Sequence, residues 1–512
     1  MYWRIAAIAA VAFVLAGAPA AVAQKSQNWI WCEGKDDASP DLQISGCSAL
    51  IQSGKESKPN LAVAFNNRCN AYNKKRDSEH AIPDCDQAIR LNPKYTFAYN
   101  NRGNAYSNKG LKDHALEDYG QAIRLDPKYA TAYYNRGIIH GERKDYAHAL
   151  QDYDQAIRLN PRHANALGNR AGIYRNQANC EAAIRDYSQA LAIRPDPIDY
   201  SGRGNCHLDN KDYDRAIADY NAALKVTPGY ALAYYNRGRA YTDKGEIDLA
   251  IESYDQAIKF DPKYAYAYGN RGGLWRRKGQ IDRAIRDYDE ALRLDADNPI
   301  DFNRRGNAYY DKGDYDRAIS DYDAALRVDA KYTFAFYNRG NANRMKGQFD
   351  RAIADYSQAI ALDPKYTAAY DNRGIAYRQK GDYQRAIQEH DQAIKLAPNY
   401  AAAYNNRCRT LTMAQQPEPA IADCDTAIKL NPNDSGAFDS RGLAKLKSGQ
   451  YDAAIADYDS ALKLSPQFAA SLYGRGIAKQ KKGDAGGAEA DIAAATKLNG
   501  QIAAEFAKLG LP

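Results

Sequence analysis

Residues 152–172 read DYDQAIRLNPRHANALGNRAG, and near copies of this stretch return along the chain at an almost fixed step. Anchored on the NRG phrase, the last residue of the triplet falls at Cys69, Gly103, Gly137, Ala171, Gly204, Gly238, Gly272, Gly306, Gly340, Gly374, Cys408, Gly442 and Gly476. Every step is 34 residues except one of 33, and a period of this size marks a solenoid of supersecondary units. With that residue as position 8, thirteen units begin at Ala62 and end near Ile502.

Positions 20 and 27 are alanine in all thirteen units, from Ala81 to Ala488 and from Ala88 to Ala495. Small residues at fixed places on two helices let their backbones approach, while larger neighbours fill the remaining volume. Position 4 is aromatic in most units and position 24 is tyrosine in nine. With Ile or Leu at positions 21 and 28, as in Ile319 and Leu326, they give the one-sided apolar stripe of an amphipathic helix. Proline at position 32 in ten units ends the second helix. Each unit is therefore a helical hairpin that cannot bury its own face and must stack on its neighbours.

The combination of an aromatic at position 4, a small residue at 8, an aromatic at 11, alanine at 20, an aromatic at 24, alanine at 27 and proline at 32 resembles the tetratricopeptide repeat family, here an exported bacterial member, over residues 62–502. The resemblance implies an all-α solenoid, a right-handed superhelix of stacked antiparallel helix pairs. It further implies first helices that line a concave groove receiving peptides or partner proteins, and it implies no chemistry. Both ends depart from the repeat. DLQISGCSALI, residues 41–51, resembles the second helix EHAIPDCDQAI, residues 79–89, so residues 24–61 are expected to form a degenerate, disulfide-linked N-terminal cap. The closing QIAAEFAKLGLP is expected to be a capping helix that ends within residues 503–512.

Residues 1–23 combine Arg4, an apolar run from Ile5 to Leu15 and an Ala21-Val22-Ala23 cleavage site, the pattern of a signal peptide that leaves Gln24 first. No later run is apolar for long enough to cross a membrane, so no integral membrane domain is expected after cleavage. The net charge of +7 comes from 70 basic and 63 acidic residues interspersed along the chain. A nucleic-acid partner would need concentrated positive charge, and none is expected.

The eight cysteines fit export. Cys69 with Cys85, and Cys408 with Cys424, replace positions 8 and 24 together, and nowhere else does cysteine stand at either. Those positions lie on the facing sides of the two helices of a hairpin, so each pair is expected to form a disulfide. Cys180 at position 17 and Cys206 at position 10 of the next unit are expected to staple neighbours, and Cys32 with Cys47 to staple the cap. Such bonds require an oxidising compartment, periplasmic or extracellular. No C-x-x-C pair is present, which argues against redox catalysis.

Arginine at position 7 of all thirteen units faces aspartate at position 23 in eleven, the pattern of a structural charge ladder. Function is expected at the variable inner positions. Asn101, Asn135, Asn236, Asn270, Asn338 and Asn372 stand at position 6, and Asn104 and Asn341 at position 9, one helical turn on. An amide can meet both N–H and C=O of an extended peptide. Arg239 and Arg409 at position 9, with Arg276, Arg344 and Arg378 at position 12, add positive charge. The resemblance points to an acidic or carboxylate-bearing ligand, although the lysines of the family's clamp are missing at position 13 of most central units.

Among the seven histidines, His80, His114 and His148 share outer position 19, and a row at one residue per repeat reads as a surface position. His140 and His207 replace the position 11 aromatic and read as packed. With no HExxH, nucleophile elbow or phosphate loop, no enzyme, metal or cofactor is expected. The leading expectation is a protein- or peptide-binding scaffold of the bacterial cell envelope that binds through its groove. The alternative is a structural component of an envelope secretion or polysaccharide-export assembly.

Overall fold

The computed structural model describes residues 26–511. The signal-peptide and cleavage-site expectations for residues 1–24 lie outside the described residues. Those described form twenty-nine α-helices with no strand among them. Each repeat places helix A near positions 1–13 and helix B near positions 17–30, as in Thr333–Met345 followed by Phe349–Leu362. Within each of two compact units, helix A packs antiparallel on its own helix B, and helix B on the next helix A, in a solenoid of stacked pairs. Contacts divide the chain into two compact units, one through Gly245 and one from Glu246.

The invariant alanines are the points of closest approach, and every one at positions 20 and 27 is at most 3% exposed. Position 8 explains itself through position 24. A Cβ added to Gly306 would lie 2.7 Å from the ring of Tyr322, and one added to Gly340 would lie 2.7 Å from Tyr356. The missing side chain of one helix makes room for the ring of the other. In two hairpins the same space is filled by sulfur, where Cys69–Cys85 and Cys408–Cys424 are disulfides with Cα atoms 5.6 Å apart. A third disulfide, Cys32–Cys47, joins Gln27–Cys32 to Pro40–Ser53 ahead of the first repeat.

The bond expected between Cys180 and Cys206 is not formed, and both residues are free thiols. The two belong to different repeats rather than to facing positions of one hairpin. Burial beside Ala171, Ala183 and Tyr187, reinforced by the Cys180 thiol, raises the Cys206 pKa. The neutral thiol, not the thiolate that attacks a disulfide, is the packed species.

Arginine 7 makes two connections. In the second unit Arg305 donates through Nε and Nη2 to Asp321 of its own hairpin at 2.9 and 2.7 Å. Its Nη1 reaches Asp289, at position 25 of the preceding repeat, at 2.7 Å. Arg102 does the same with Asp118 and Asp86 in the first unit, where Arg68 reaches Ser48 of helix Pro40–Ser53. In most repeats the guanidinium also lies near the position 4 ring, as Arg305 does at 5.7 Å from the centroid of Phe302. The arginines are thereby committed to the stack rather than to a ligand. At the far end, Ile502 and Phe506 of Ile502–Ala507 close the core around Leu443, Tyr473 and Ile477.

Candidate partner-binding face

Positions 2, 5, 9 and 12 of helix A recur every three or four residues and so share one face. That face begins with apolar side chains left in solvent. In the first unit Phe97, Ile198 and Leu232 stand exposed at position 2, and in the second Tyr266, Ile300 and Phe334, the last at 56% exposure. Phe334 lies edge-on to Tyr332 and Tyr366, and Tyr366 approaches Tyr337 at 4.9 Å, so an aromatic ridge crosses two repeats.

The asparagines at positions 6 and 9 hydrogen-bond to one another and to tyrosines of the stack. Asn101 donates to Asn66 Oδ1 at 2.9 Å, and Asn135 to Asn100 at 3.0 Å and Asn104 at 3.1 Å. Asn338 donates to Asn303 at 2.9 Å, and Asn372 to Tyr337 Oη at 2.6 Å. Asn104 and Asn341 accept from the buried hydroxyls of Tyr119 and Tyr356 at 2.9 and 2.7 Å. Asn236 is buried and Asn270 half-buried. A polar pocket of about 310 Å³ in the first unit is lined by Asn70, Asn73, Lys74, Asn104 and Asn135 among others.

The arginines behave differently. Arg276 is neutralised by Asp311 at 2.6 Å, and Arg239 is exposed on Ala231–Lys244. Arg344, Arg378 and Arg409 come from three successive A helices, Thr333–Met345, Thr367–Lys380 and Ala401–Met413. Arg344 Nε is buried with no hydrogen-bond partner. Arg378 Nη1 donates to the Asn406 carbonyl at 3.2 Å, and Arg409 stops 3.9 Å from Asp439. Burial first, then repulsion from Arg409 and Arg344 against the attraction of Asp371, presses the Arg378 pKa down to about 9.

The nearby carboxylates are already engaged. Asp371 is held by His390 Nδ1 at 2.8 Å and Asn406 Nδ2 at 2.9 Å, and Asp439 accepts from Ser471 at 2.7 Å. Arg378 thus has two like-charged neighbours, Arg344 and Arg409. His390 was not singled out from the sequence. Its signal was legible, since the position 24 tyrosine becomes histidine in the same unit that places Asp371 at position 5.

The geometry is that of a helical-hairpin array displaying one helix face per repeat, the architecture of a non-catalytic protein-interaction scaffold. Models of the tetratricopeptide repeat match residues 62–95, 96–129, 130–163, 201–265, 235–299, 303–367, 356–388, 374–408 and 442–483. The matches together span more than half of the chain, which belongs to the tetratricopeptide repeat family.

Among solved structures the chain is similar to the APC/C hetero-tetramer Cut9–Hcn1, at 14% identity and TM-score 0.43, over 89% of this chain and 96% of that one. It is similar to a tetratricopeptide repeat protein from Parabacteroides merdae, at 21% identity and TM-score 0.41, over 48% and 98%. Yeast Tom70 gives 17% identity and TM-score 0.39, over 83% and 96%. No curated protein matches significantly. No helix among the described residues is long and apolar enough to cross a membrane. The three disulfides indicate an oxidising, non-cytoplasmic environment.

Proposed function

We propose that the open face of the A helices binds a carboxylate-bearing protein segment in the bacterial cell envelope, in the periplasm. Arg344, Arg378 and Arg409 form the anionic subsite, and the aromatic ridge from Phe334 supplies apolar contact. The observation that carries the proposal is the buried, unpartnered Nε of Arg344 beside the crowded guanidinium of Arg378. Such a group costs free energy until an anion satisfies it. At position 7 most arginines place Nε on a carboxylate, as Arg305 and Arg407 do, and Arg373, whose Nε is also buried without a partner, has Nη1 and Nη2 bonded to Ser357 and Glu389. A photo-crosslinking residue at Phe334 tests the proposal against one at Arg351, exposed on helix Phe349–Leu362. The proposal requires a partner to be trapped from Phe334 and not from Arg351. Trapping from Arg351 alone would move recognition to the outer helices, as a structural role in an envelope assembly predicts.

A further inference from the structure

We infer that His140, Asp145 and His148 form a site for a divalent transition-metal ion of the zinc class. All three come from one hairpin in the first unit, Ala130–Glu142 followed by Tyr146–Leu159. One ligand atom from each lies within 4.8 Å of the other two. His148 Nδ1 is 2.7 Å from Asp145 Oδ2, and His140 Nδ1 is 3.4 Å from the same oxygen. Tetrahedral zinc with bonds near 2.0–2.1 Å separates its ligand atoms by about 3.3 Å, so small side-chain rotations suffice. The imidazoles already stack, with centroids 5.2 Å apart.

The repeats supply their own controls. In the first repeat His80 meets Asp77 at 2.8 Å, but Tyr72 stands where His140 would be. In the fifth, His207 and Asp212 are present, but Arg215 replaces the outer histidine. Only the hairpin of residues 130–163 combines all three ligands, two imidazoles and a carboxylate, a set suited to Zn(II), Ni(II) or Cu(II). Three protein ligands leave a position for water or an external group.

The support behind the site also fits. Asp145 Oδ1 accepts from the His148 backbone N–H at 3.3 Å, which fixes the carboxylate at the start of its helix. Asp152 attracts His140 electrostatically, and in the fifth repeat the corresponding Asp219 lies 3.9 Å from His207 Nε2. A carboxylate behind a ligating imidazole orients the ring and raises its basicity.

The test is titration of the full chain with Zn(II), followed calorimetrically, and with Co(II), followed by visible absorption. The comparison variants are His140→Tyr, which restores the residue found at position 11 of other repeats, and His148→Arg, which copies Arg215. One equivalent should bind, with a Co(II) spectrum free of thiolate charge transfer. Each variant should weaken binding by about 100-fold or more, because even an outer-sphere partner is worth 10–100-fold. Undiminished affinity in both folded variants, a thiolate spectrum reporting Cys180 and Cys206 instead, or no saturable uptake would each overturn the assignment.

Discussion

The hydroxyl of Tyr356 donates to Asn341 Oδ1 at 2.7 Å, joining position 24 to position 9 within one hairpin. The same bond recurs at Tyr119–Asn104, Tyr220–Asn205 and Tyr322–Asn307. An asparagine that looks like a ligand contact thus serves as the acceptor for a buried phenol. Asn341→Ala should destabilise the protein by about 1–3 kcal/mol, the cost of a buried donor left unsatisfied. Urea unfolding measures that loss, while the folded fraction should keep its affinity for a partner.

The two cysteine hairpins can be exchanged for the common design. Replacing Cys408 by Gly and Cys424 by Tyr together should preserve the helical fold, since other repeats hold that pair at those positions. Cys424→Tyr alone should drive a ring into the Cys408 side chain, at an overpacking cost of about 1–3 kcal/mol beyond the lost bond. In the unaltered chain, reduction of the bond closing 16 residues should remove about 3 kcal/mol. Thermal melts with and without reductant distinguish these cases.

Burial, aided by repulsion from Asp196, lifts the Asp199 carboxyl from 3.8 to about 6. The folded state therefore holds this proton more tightly than the unfolded chain between pH 4 and 6. Stability from this group is greatest at the acid end of that window and falls as pH rises through it. Asp199→Asn should flatten this part of the profile and stabilise the protein at pH 7 by about 2 kcal/mol. Urea midpoints at pH 4.5 and 7.5 provide the check.

Position 15 takes a left-handed backbone in every A-to-B turn, with glycine in units such as that of Gly381 at φ 88° and Ala178 holding the same place at φ 58°. A side chain in this region costs roughly 1–2 kcal/mol. Ala178→Gly should stabilise its hairpin by about 1 kcal/mol after the unfolded chain's added freedom is counted, a gain visible in amide exchange of Ala164–Asn176.

The fold was legible because the 34-residue period repeats one packing solution, and alanine at two fixed positions leaves little choice of helix crossing. The arginine ladder was half legible. Asp321 follows Arg305 within one unit, whereas Asp289 serves it from the previous one, a relation that emerges only when repeats are stacked. The partners of the asparagines were out of reach for the same reason. The acceptor of Asn101 is Asn66, 35 residues earlier, and helical spacing says which side an amide occupies without saying who satisfies it. The missing Cys180–Cys206 bond shows the limit of adjacency, since cysteines on neighbouring elements of different repeats need not pair as those at facing positions of one hairpin do.

The most direct test of a partner-binding A-helix face is quantitative capture from envelope extract. The unaltered chain is compared with the combined Arg344→Ser, Arg378→Ser and Arg409→Ser variant, after circular dichroism shows equal helix content. Loss of charged contacts worth about 2–5 kcal/mol should weaken retention by 30-fold or more, with salt eluting the partner from the unaltered chain. Equal retention by both proteins would contradict recognition at this face.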